Sequence, residues 1–367
     1  MKKVTSLSAV LLSSAMFLAA CGGNDGGNNT TDVENNGGAE DTTENTENTE
    51  EEPADNEEPA DEGNDGDTAS DADVGNLQLG TGSTGGTYYP LGQEIATIVN
   101  NNIEVEGFDL SAVSSGASVD NIVGISQGEM DLGMSVHLPA QDALTGAGDF
   151  EGVEIDNFGF MGHIYPEVMQ IVIPADSDIE TVADLEGSSV AIGPPGSGTQ
   201  AAARLILEAY GLEDGDYEAF EEGFGDAQGR IQDGQLDASF GLLGLPAGGI
   251  DELAASADIE LLSLTEEGIS YVEENSGYEQ LTIPSDSYDF MEEDVEAITA
   301  YAVLLGSMDT IDEDLGYEIT KAMFENAGDI AHPQGEQINE ENALNGSDGL
   351  PMHPGAERYF EEAGISE

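Results

Sequence analysis

A strand, a glycine-rich loop and a helix follow one another twice in this chain, and this unit restricts the fold more than any other feature. The first unit covers residues 77–99 and the second covers residues 189–210. Each strand is a short apolar run, and each helix carries apolar residues at helical spacing. Strands that alternate with helices form parallel α/β sheets, whose ligand sites lie beyond the carboxyl ends of the strands. The sequence therefore predicts an α/β fold.

The N-terminus has the pattern of a secretory signal. Lys2 and Lys3 precede an apolar run from about Ala9 to Ala20, which is shorter than the roughly 20 apolar residues that span a bilayer as a helix. We therefore expect residues 1–20 to be a signal peptide that is absent from the mature protein.

The junction Leu18-Ala19-Ala20-Cys21 contains the only cysteine of the chain. It resembles the bacterial lipoprotein box, in which the cysteine thiol receives a diacylglycerol before cleavage. The acyl chains would then anchor the protein to the outer face of a membrane, which predicts an extracytoplasmic location. An ordinary signal peptide followed by a free thiol is the alternative, but a lone exposed cysteine is unusual in an oxidising compartment.

Residues 21–76 contain almost no large apolar side chain. Asp, Glu, Asn, Thr and Gly dominate, and the sequence EEPAD occurs at 51–55 and again at 57–61. Such a segment cannot bury a core, and its charge and prolines keep it extended. We expect a disordered acidic tether between the membrane and the folded body.

The remaining 291 residues (367 − 76) exceed what one hydrophobic core usually holds, which predicts two lobes. Two apolar strands that end in proline, 170–174 and 280–284, are candidates for the crossings between them. We predict lobe 1 from 77–172 and 286–367, lobe 2 from 173–285, and a hinge at the crossings.

The chain carries 77 acidic residues against six lysines and arginines, for a formal net charge of −71. Without Lys2 and Lys3, the mature chain keeps four basic residues (6 − 2). These are Arg204, Arg230, Lys321 and Arg358. Four cations cannot form a basic patch, which excludes nucleic acid and anionic lipid headgroups as partners. Because self-repulsion of this size weakens a compact state unless counter-ions screen it, we hypothesise a halophilic source.

Residues with catalytic or metal-binding chemistry are scattered. The four histidines are His137, His163, His332 and His353. The one GxSxG match, GISQG at 124–128, lies in a helical pattern rather than at a strand-to-helix elbow. No Cys/His cluster has metal-ligand spacing, and lipidation of Cys21 would leave no thiol nucleophile. The sequence therefore predicts a protein that is not an enzyme and that carries neither cofactor nor metal.

The first glycine loop, GTGSTGG at 80–86, matches the dinucleotide fingerprint GxGxxG. A loop of this kind can bind any anion, because glycines let backbone N–H groups approach the ligand and a helix N-terminus adds positive potential. A dinucleotide site and a turn that binds nothing are the alternatives. The second loop, 196–199, precedes the helix that contains Arg204. Since cations are scarce, we expect amides and hydroxyls of both loops to hold a carboxylate, with Arg204 either reaching the cleft or remaining a solvated charge.

Four motifs, in order, resemble one family: GSTGGTYYPLG at 82–92, GASVDN at 116–121, the loop 193–199 and PMHPGAERYF at 351–360. They are similar to motifs of the TAXI-type solute receptors (TRAP-associated extracytoplasmic immunogenic proteins) of tripartite ATP-independent periplasmic transporters. The resemblance covers residues 77–367. It implies a two-lobed periplasmic-binding-protein fold of type II. It also implies a receptor that captures a small carboxylate, such as glutamate or 2-oxoglutarate, and delivers it to a TRAP permease.

The resemblance also implies which residues contact the ligand. The candidates are Gly86, Thr87, Tyr88, Ser118, Tyr165, Ser197, Gly198 and Thr199. Packing between lobes is the alternative role for the two tyrosines. His137 joins the candidates because it lies where relatives have a Gln-Ser-Asp run, and Gly159 occupies the place of a family arginine. Both changes are expected near the cleft, so that the ligand could differ from glutamate.

Two other functions stay open on the sequence alone. The same scaffold could serve a secreted enzyme, which would convert its ligand. It could also serve a sensory module that presents its ligand to a receptor kinase.

Overall fold

The computed structural model describes residues 75–366, so the predicted signal peptide, Cys21 and nearly all of the predicted tether lie outside the described residues. The strands of the described region are β1 (Asn76–Gly80), β2 (Asp109–Val113), β3 (Leu132–Val136), β4 (Phe158–Pro174), β5 (Ser189–Ala191), β6 (Glu218–Phe220), β7 (Ala238–Leu243), β8 (Ile259–Leu261), β9 (Glu279–Ile283) and β10 (Val295–Ser307). The α-helices of this region are α1 (Tyr88–Asn102), α2 (Ser118–Gln127), α3 (His137–Thr145), α4 (Gly198–Ala209), α5 (Phe224–Gln232), α6 (Gly248–Ala254), α7 (Glu266–Asn275), α8 (Glu313–Glu325) and α9 (Pro354–Ala363).

Both predicted strand–loop–helix units form, and each lies in its own lobe. In lobe 1, β1 pairs in parallel with β2 and β3. In lobe 2, β5 pairs in parallel with β6 and β7. The helices pack on these sheets through apolar stripes. In α1, for example, Leu91, Ile95 and Val99 recur every four residues and are almost completely buried. Burial of each such side chain contributes about 1.5–3 kcal/mol.

Two long antiparallel strands, β4 and β10, connect the lobes. The strands follow the order β2-β1-β3-β10-β4-β7-β5-β6, with β8 paired to β4 and β9 paired to β10. Buried side chains pack into the lobe 1 core up to Tyr165 on β4 and into the lobe 2 cores from Val168 onward. On β10 the core changes between Ala300 and Ala302. Each long strand therefore belongs to both lobes.

The first predicted crossing, 170–174, is the end of β4, but the second prediction is wrong. The segment 280–284 contains β9, which pairs with the first half of β10 inside lobe 2, and β10 makes the return crossing. Glu296 and Thr299 interrupt the apolar run in that half of β10, which hides the crossing in the sequence. The points at which the core changes accordingly differ from the predicted lobe boundaries at 172/173 and 285/286.

Local signals fix the helix ends. The hydroxyl of Ser197 caps α4 by accepting a hydrogen bond from the Gln200 amide at 3.1 Å. Gly128 ends α2 and Gly364 ends α9, each at a positive φ that glycine adopts without strain. His353 caps α9 through Nδ1, which accepts from the Gly355 amide at 3.2 Å. Within residues 75–366, no helix combines the length and the apolar character that a membrane crossing requires.

Candidate functional site: a cavity between the lobes

A cavity of about 60 Å³ lies between the two lobes. Lobe 1 contributes the loop after β1, the first turns of α1 and α2, and parts of β3 and β4. Lobe 2 contributes the loop after β5, the first turn of α4, and β7. Several of these segments follow the carboxyl ends of parallel strands, as expected for α/β sheets. The volume accommodates about four or five water molecules, which suits a small solute.

Eight of the ten predicted ligand residues line this one cavity. They are Gly86, Thr87, Tyr88, Ser118, Tyr165, Ser197, Gly198 and Thr199. Five precede β5 in the chain and three follow it, so the fold joins segments that are more than 100 residues apart. Their contact with a ligand remains a prediction.

Backbone amides fix the hydroxyl groups of this cavity. Thr87 Oγ1 accepts from the Gly244 amide at 3.0 Å, Ser118 Oγ from the Val136 amide at 3.0 Å, and Thr199 Oγ1 from the Leu242 amide at 3.2 Å. A hydroxyl oxygen that accepts a hydrogen bond keeps its own proton for donation. Thr199 is therefore a positioned donor for an acceptor in the cavity, while Thr87 and Ser118 can also donate to the neighbouring hydroxyls of Tyr165 and Tyr88.

The hydroxyls of Ser197 and Ser118 both form hydrogen bonds with the backbone. Ser197 Oγ donates to the Pro194 carbonyl at 2.8 Å and caps α4, so its proton and one lone pair are used within the loop. Ser118 is the first residue of α2, and its hydroxyl accepts a hydrogen bond from the amide of Val136 at the end of β3.

The N-terminus of α4 supplies further donors. Gly198 and Thr199 occupy its first two positions, where backbone N–H groups have no partner inside a helix. A Cβ built on Gly198 would lie 2.4 Å from Val136 Cγ2, so only glycine allows this approach of the lobes. The amides and the helix dipole together favour an anion at this position.

Glu167 also lines the cavity, and it was not among the predicted residues. Its side chain is buried, and the Tyr88 hydroxyl donates a hydrogen bond to its Oε1. The rings of Tyr88 and Tyr165 meet edge to face at 6.1 Å. Burial raises the pKa of Glu167 to about 8, against a smaller lowering by the Tyr88 hydrogen bond. The available signal was spacing, because Tyr165 and Glu167 are two residues apart on one strand and share a face.

Arg204 lies outside the cavity, and its contact with a ligand is not seen among the residues that line it. Its guanidinium pairs with Glu221 at 3.1 Å at the surface, with 47% of the Arg204 side chain exposed. Five residues rotate a helix by about 140° beyond one full turn, which directs Arg204 away from the side occupied by Thr199. The alternative of a solvated helix charge describes its position.

His137 and Gly159 are also outside the cavity. His137 is buried at the start of α3, where its Nδ1 accepts from the Tyr301 amide at 3.2 Å and burial lowers its pKa to about 4. Gly159 packs against the backbone of His353, and a Cβ there would lie 2.7 Å from the His353 Cα. The two departures from the family pattern therefore affect packing around the lobe 1 core rather than the cavity lining.

Electrostatically, this cavity relies on neutral donors. No lysine or arginine is among the residues that line it in the described part of the chain. The same region, residues 75–366, shows no group of three or more His, Cys, Asp or Glu arranged to hold a metal ion. Amides, hydroxyls and one buried carboxyl are thus the polar groups that can recognise a solute.

Comparison with known proteins identifies the family and the fold. A model of the NMT1-like family matches residues 79–364. The structure is similar to that of a protein from Bordetella bronchiseptica RB50, with 15% identity, a TM-score of 0.50, and coverage of 79% of this chain and 98% of that one. It also matches the alkanesulfonate-binding protein SsuA from Xanthomonas axonopodis pv. citri bound to MOPS, with 18% identity, a TM-score of 0.45, and coverage of 79% and 84%. A putative L-cystine ABC transporter protein from Listeria monocytogenes matches with 15% identity, a TM-score of 0.44, and coverage of 75% and 98%. The predicted two-lobed periplasmic-binding-protein fold is confirmed, and the chain belongs to the NMT1-like family.

Proposed function

We propose that this protein is the extracytoplasmic solute-binding subunit of a transporter, and that it captures a small carboxylate between its lobes without changing it. The observation that carries this proposal is the cavity itself, which both lobes line with neutral hydrogen-bond donors. The TAXI-like motifs favour a TRAP permease as the membrane partner. Lipidation of Cys21 would keep the receptor near that permease.

The donors of the cavity suit a carboxylate. The two free amides at the start of α4 can donate to one carboxylate group, and the hydroxyls of Thr87 and Thr199 can donate from the opposite lobes. A hydrogen bond to a charged group contributes about 1.5–3 kcal/mol. Several such bonds in a closed site can replace the lysine or arginine that the cavity does not contain.

Capture and release require the lobes to move. Hydrogen bonds between the lobes include those from the Gly244 amide to Thr87 Oγ1 at 3.0 Å, from the Val119 amide to the Gly196 carbonyl at 2.9 Å and from Gln334 Nε2 to the Leu245 carbonyl at 3.0 Å. Opening would break these bonds and expose the cavity. A ligand that contacts the loops 82–88 and 196–199 would hold the closed state, and a hundredfold excess over Kd stabilises the folded protein by about 2.7 kcal/mol.

Native mass spectrometry of the purified protein tests the binding role, because a copurified solute would reveal its composition directly. We expect an acid that is recovered unchanged after incubation. A chemically altered product would support the secreted-enzyme alternative, and the absence of any carboxylate ligand would contradict the proposal.

Uptake into proteoliposomes tests the partner. With a TRAP permease we expect transport that depends on an ion gradient and on this receptor but not on ATP. Uptake that requires ATP would assign the receptor to an ABC transporter. Signalling through a receptor kinase without uptake would support the sensory alternative.

A further inference from the structure

Glu167 places an acidic group in a cavity whose other polar groups are donors. Its carboxyl is 2% exposed and has one side-chain hydrogen bond, from the Tyr88 hydroxyl to Oε1. Oε2 receives no hydrogen bond from any side chain or amide among the described residues. A buried carboxylate without a cation is costly, and one beside a bound anion would also repel it.

No cation of the described region is available to pair with Glu167. Arg204 and Arg230 pair with Glu221 and Glu222. Arg358 pairs with Glu313 and Asp314, and Lys321 lies 5.7 Å from the ring centre of Tyr317. If Glu167 ionises, the cation that pairs with it is therefore not one of these side chains, and a cationic group of the ligand can take that place.

The surroundings of Glu167 suit an ammonium group. Tyr88 of α1, Tyr165 of β4 and Tyr278 ahead of β9 are the titratable groups that face it. From β10, the Thr299 hydroxyl donates to the Glu167 carbonyl oxygen at 2.8 Å. Electron-rich aromatic rings beside a carboxylate attract a cation. All three tyrosines remain neutral near pH 7, because burial raises their pKa values.

The carboxylate donors are close to this acidic position. The Ser118 hydroxyl lies within hydrogen-bonding reach of the Tyr88 hydroxyl, which contacts Glu167. On its other side, the Ser118 oxygen is 3.4 Å from where a Cβ on Gly198 would lie. One small molecule can therefore contact the α4 amides and Glu167 together.

Building on the proposed function, we propose that Glu167 makes the receptor selective for acids that carry a protonated amine, so that its solutes are small amino acids rather than 2-oxo or 2-hydroxy acids. The ligand carboxylate binds the amides of Gly198 and Thr199. The ammonium group binds Glu167 between Tyr88 and Tyr165. The ligand thus supplies the cation that the acidic chain does not place there.

This arrangement links binding to proton release. Burial raises the pKa of Glu167 to about 8, so the empty site holds this carboxyl protonated at pH 7. An arriving ammonium group favours the ionised carboxylate, and the carboxyl proton leaves to solvent. A 2-oxo acid would instead favour the protonated carboxyl, which can donate to the ligand, and would release no proton.

Titration calorimetry at pH 7 in concentrated KCl tests the inference. The probes are matched pairs, glutamate with 2-oxoglutarate and alanine with pyruvate, each in phosphate and in Tris to count protons. We expect the amino acid of at least one pair to bind tenfold or more tightly than its partner and to release close to one proton. Glu167→Gln, which keeps the shape of the side chain, should weaken that amino acid at least tenfold and abolish proton release, with little change for the oxo acid.

The outcomes separate this inference from the proposed function. Equal or tighter binding of the oxo acid, or proton uptake, would overturn the amine selectivity and leave a carboxylate receptor with a protonated Glu167. Proton counting on the unmodified protein decides this even if the variant fails to fold. If neither member of either pair binds and the copurified solute is not a carboxylate, the proposed function also falls.

Discussion

A methyl group on Gly85 should prevent the cleft from closing. Gly85 follows β1 in lobe 1 and lies against Gly225 of α5 in lobe 2, and a Cβ built on Gly85 would be 2.4 Å from the Gly225 Cα. Ordinary contact starts at 3.4 Å, so the lobes would have to separate by about 1 Å here (3.4 − 2.4). Because both groups belong to the backbone, no rotamer change relieves the overlap.

Partial opening would remove the hydrogen bonds that one lobe makes to the ligand. The loss of two bonds to a charged group, at about 1.5–3 kcal/mol each, amounts to about 3–6 kcal/mol, or roughly a hundredfold to ten-thousandfold weaker binding. The fold should not suffer, because Gly85 has no positive φ and alanine reduces the entropy of the unfolded chain. Gly85→Ala should therefore keep the melting temperature of the ligand-free protein.

Titration calorimetry and small-angle scattering measure the two consequences. Saturating ligand should reduce the radius of gyration of the unmodified protein more than that of Gly85→Ala. The matched control is Gly229→Ala in α5, where a Cβ would meet nothing within 4 Å. Native affinity and native compaction in Gly85→Ala would refute the reasoning.

Four further predictions follow from the site and the composition. Thr199→Ala should weaken ligand binding by about 1.5–3 kcal/mol, whereas Arg204→Ala, which removes a half-exposed surface ion pair, should leave the affinity unchanged. Calorimetry that shows the reverse order would support a direct contact between Arg204 and the ligand. Glu167→Gln should stabilise the ligand-free protein at pH 8. Because the pKa of Glu167 is about 8 in the folded state and 4.5 in an exposed glutamate, the free energy of unfolding of the unmodified protein falls by about 4 kcal/mol as pH rises from 4.5 to 8. Stabilities from urea unfolding of the two proteins should therefore converge in acid, and parallel pH profiles would count against the prediction. Melting temperature should rise with NaCl or KCl, because the net charge of −71 repels itself at low ionic strength, and a flat curve would contradict the halophilic hypothesis. Intact mass of membrane-extracted protein should show a diacylglycerol on Cys21, and an unmodified thiol would exclude the anchor.

Local patterns predicted the elements that local forces determine. The two strand–loop–helix units form at 77–99 and 189–210 because apolar spacing and a glycine turn lie within a few residues of each other, and in the second unit Ser197 also caps the helix. The return crossing was misplaced because β10 owes its length to its partners, β4 and β9, rather than to a uniform apolar run. The main partner, β4, is more than 100 residues away in sequence.

Local sequence patterns also predicted only part of the site. Eight predicted residues meet in one cavity, since motif loops at the ends of parallel strands converge there. Glu167 was missed because, among 77 acidic residues, only its spacing from Tyr165 marked it in the sequence, whereas its burial is a property of the fold. Arg204 was predicted as a ligand residue because of its positive charge. Its angular position on the helix directs its side chain to the surface instead.

The long strands β4 and β10 also determine how the protein unfolds. The second half of β4 covers two cores of lobe 2, with Val168 and Val172 on one face and Met169 and Ile171 on the other, while its first half belongs to lobe 1. If one lobe melted alone, half of each strand would lose its ladder partners and leave buried backbone groups unpaired. The two lobes are therefore expected to unfold in a single cooperative transition, with the amide hydrogens of β4 among the last to exchange with solvent.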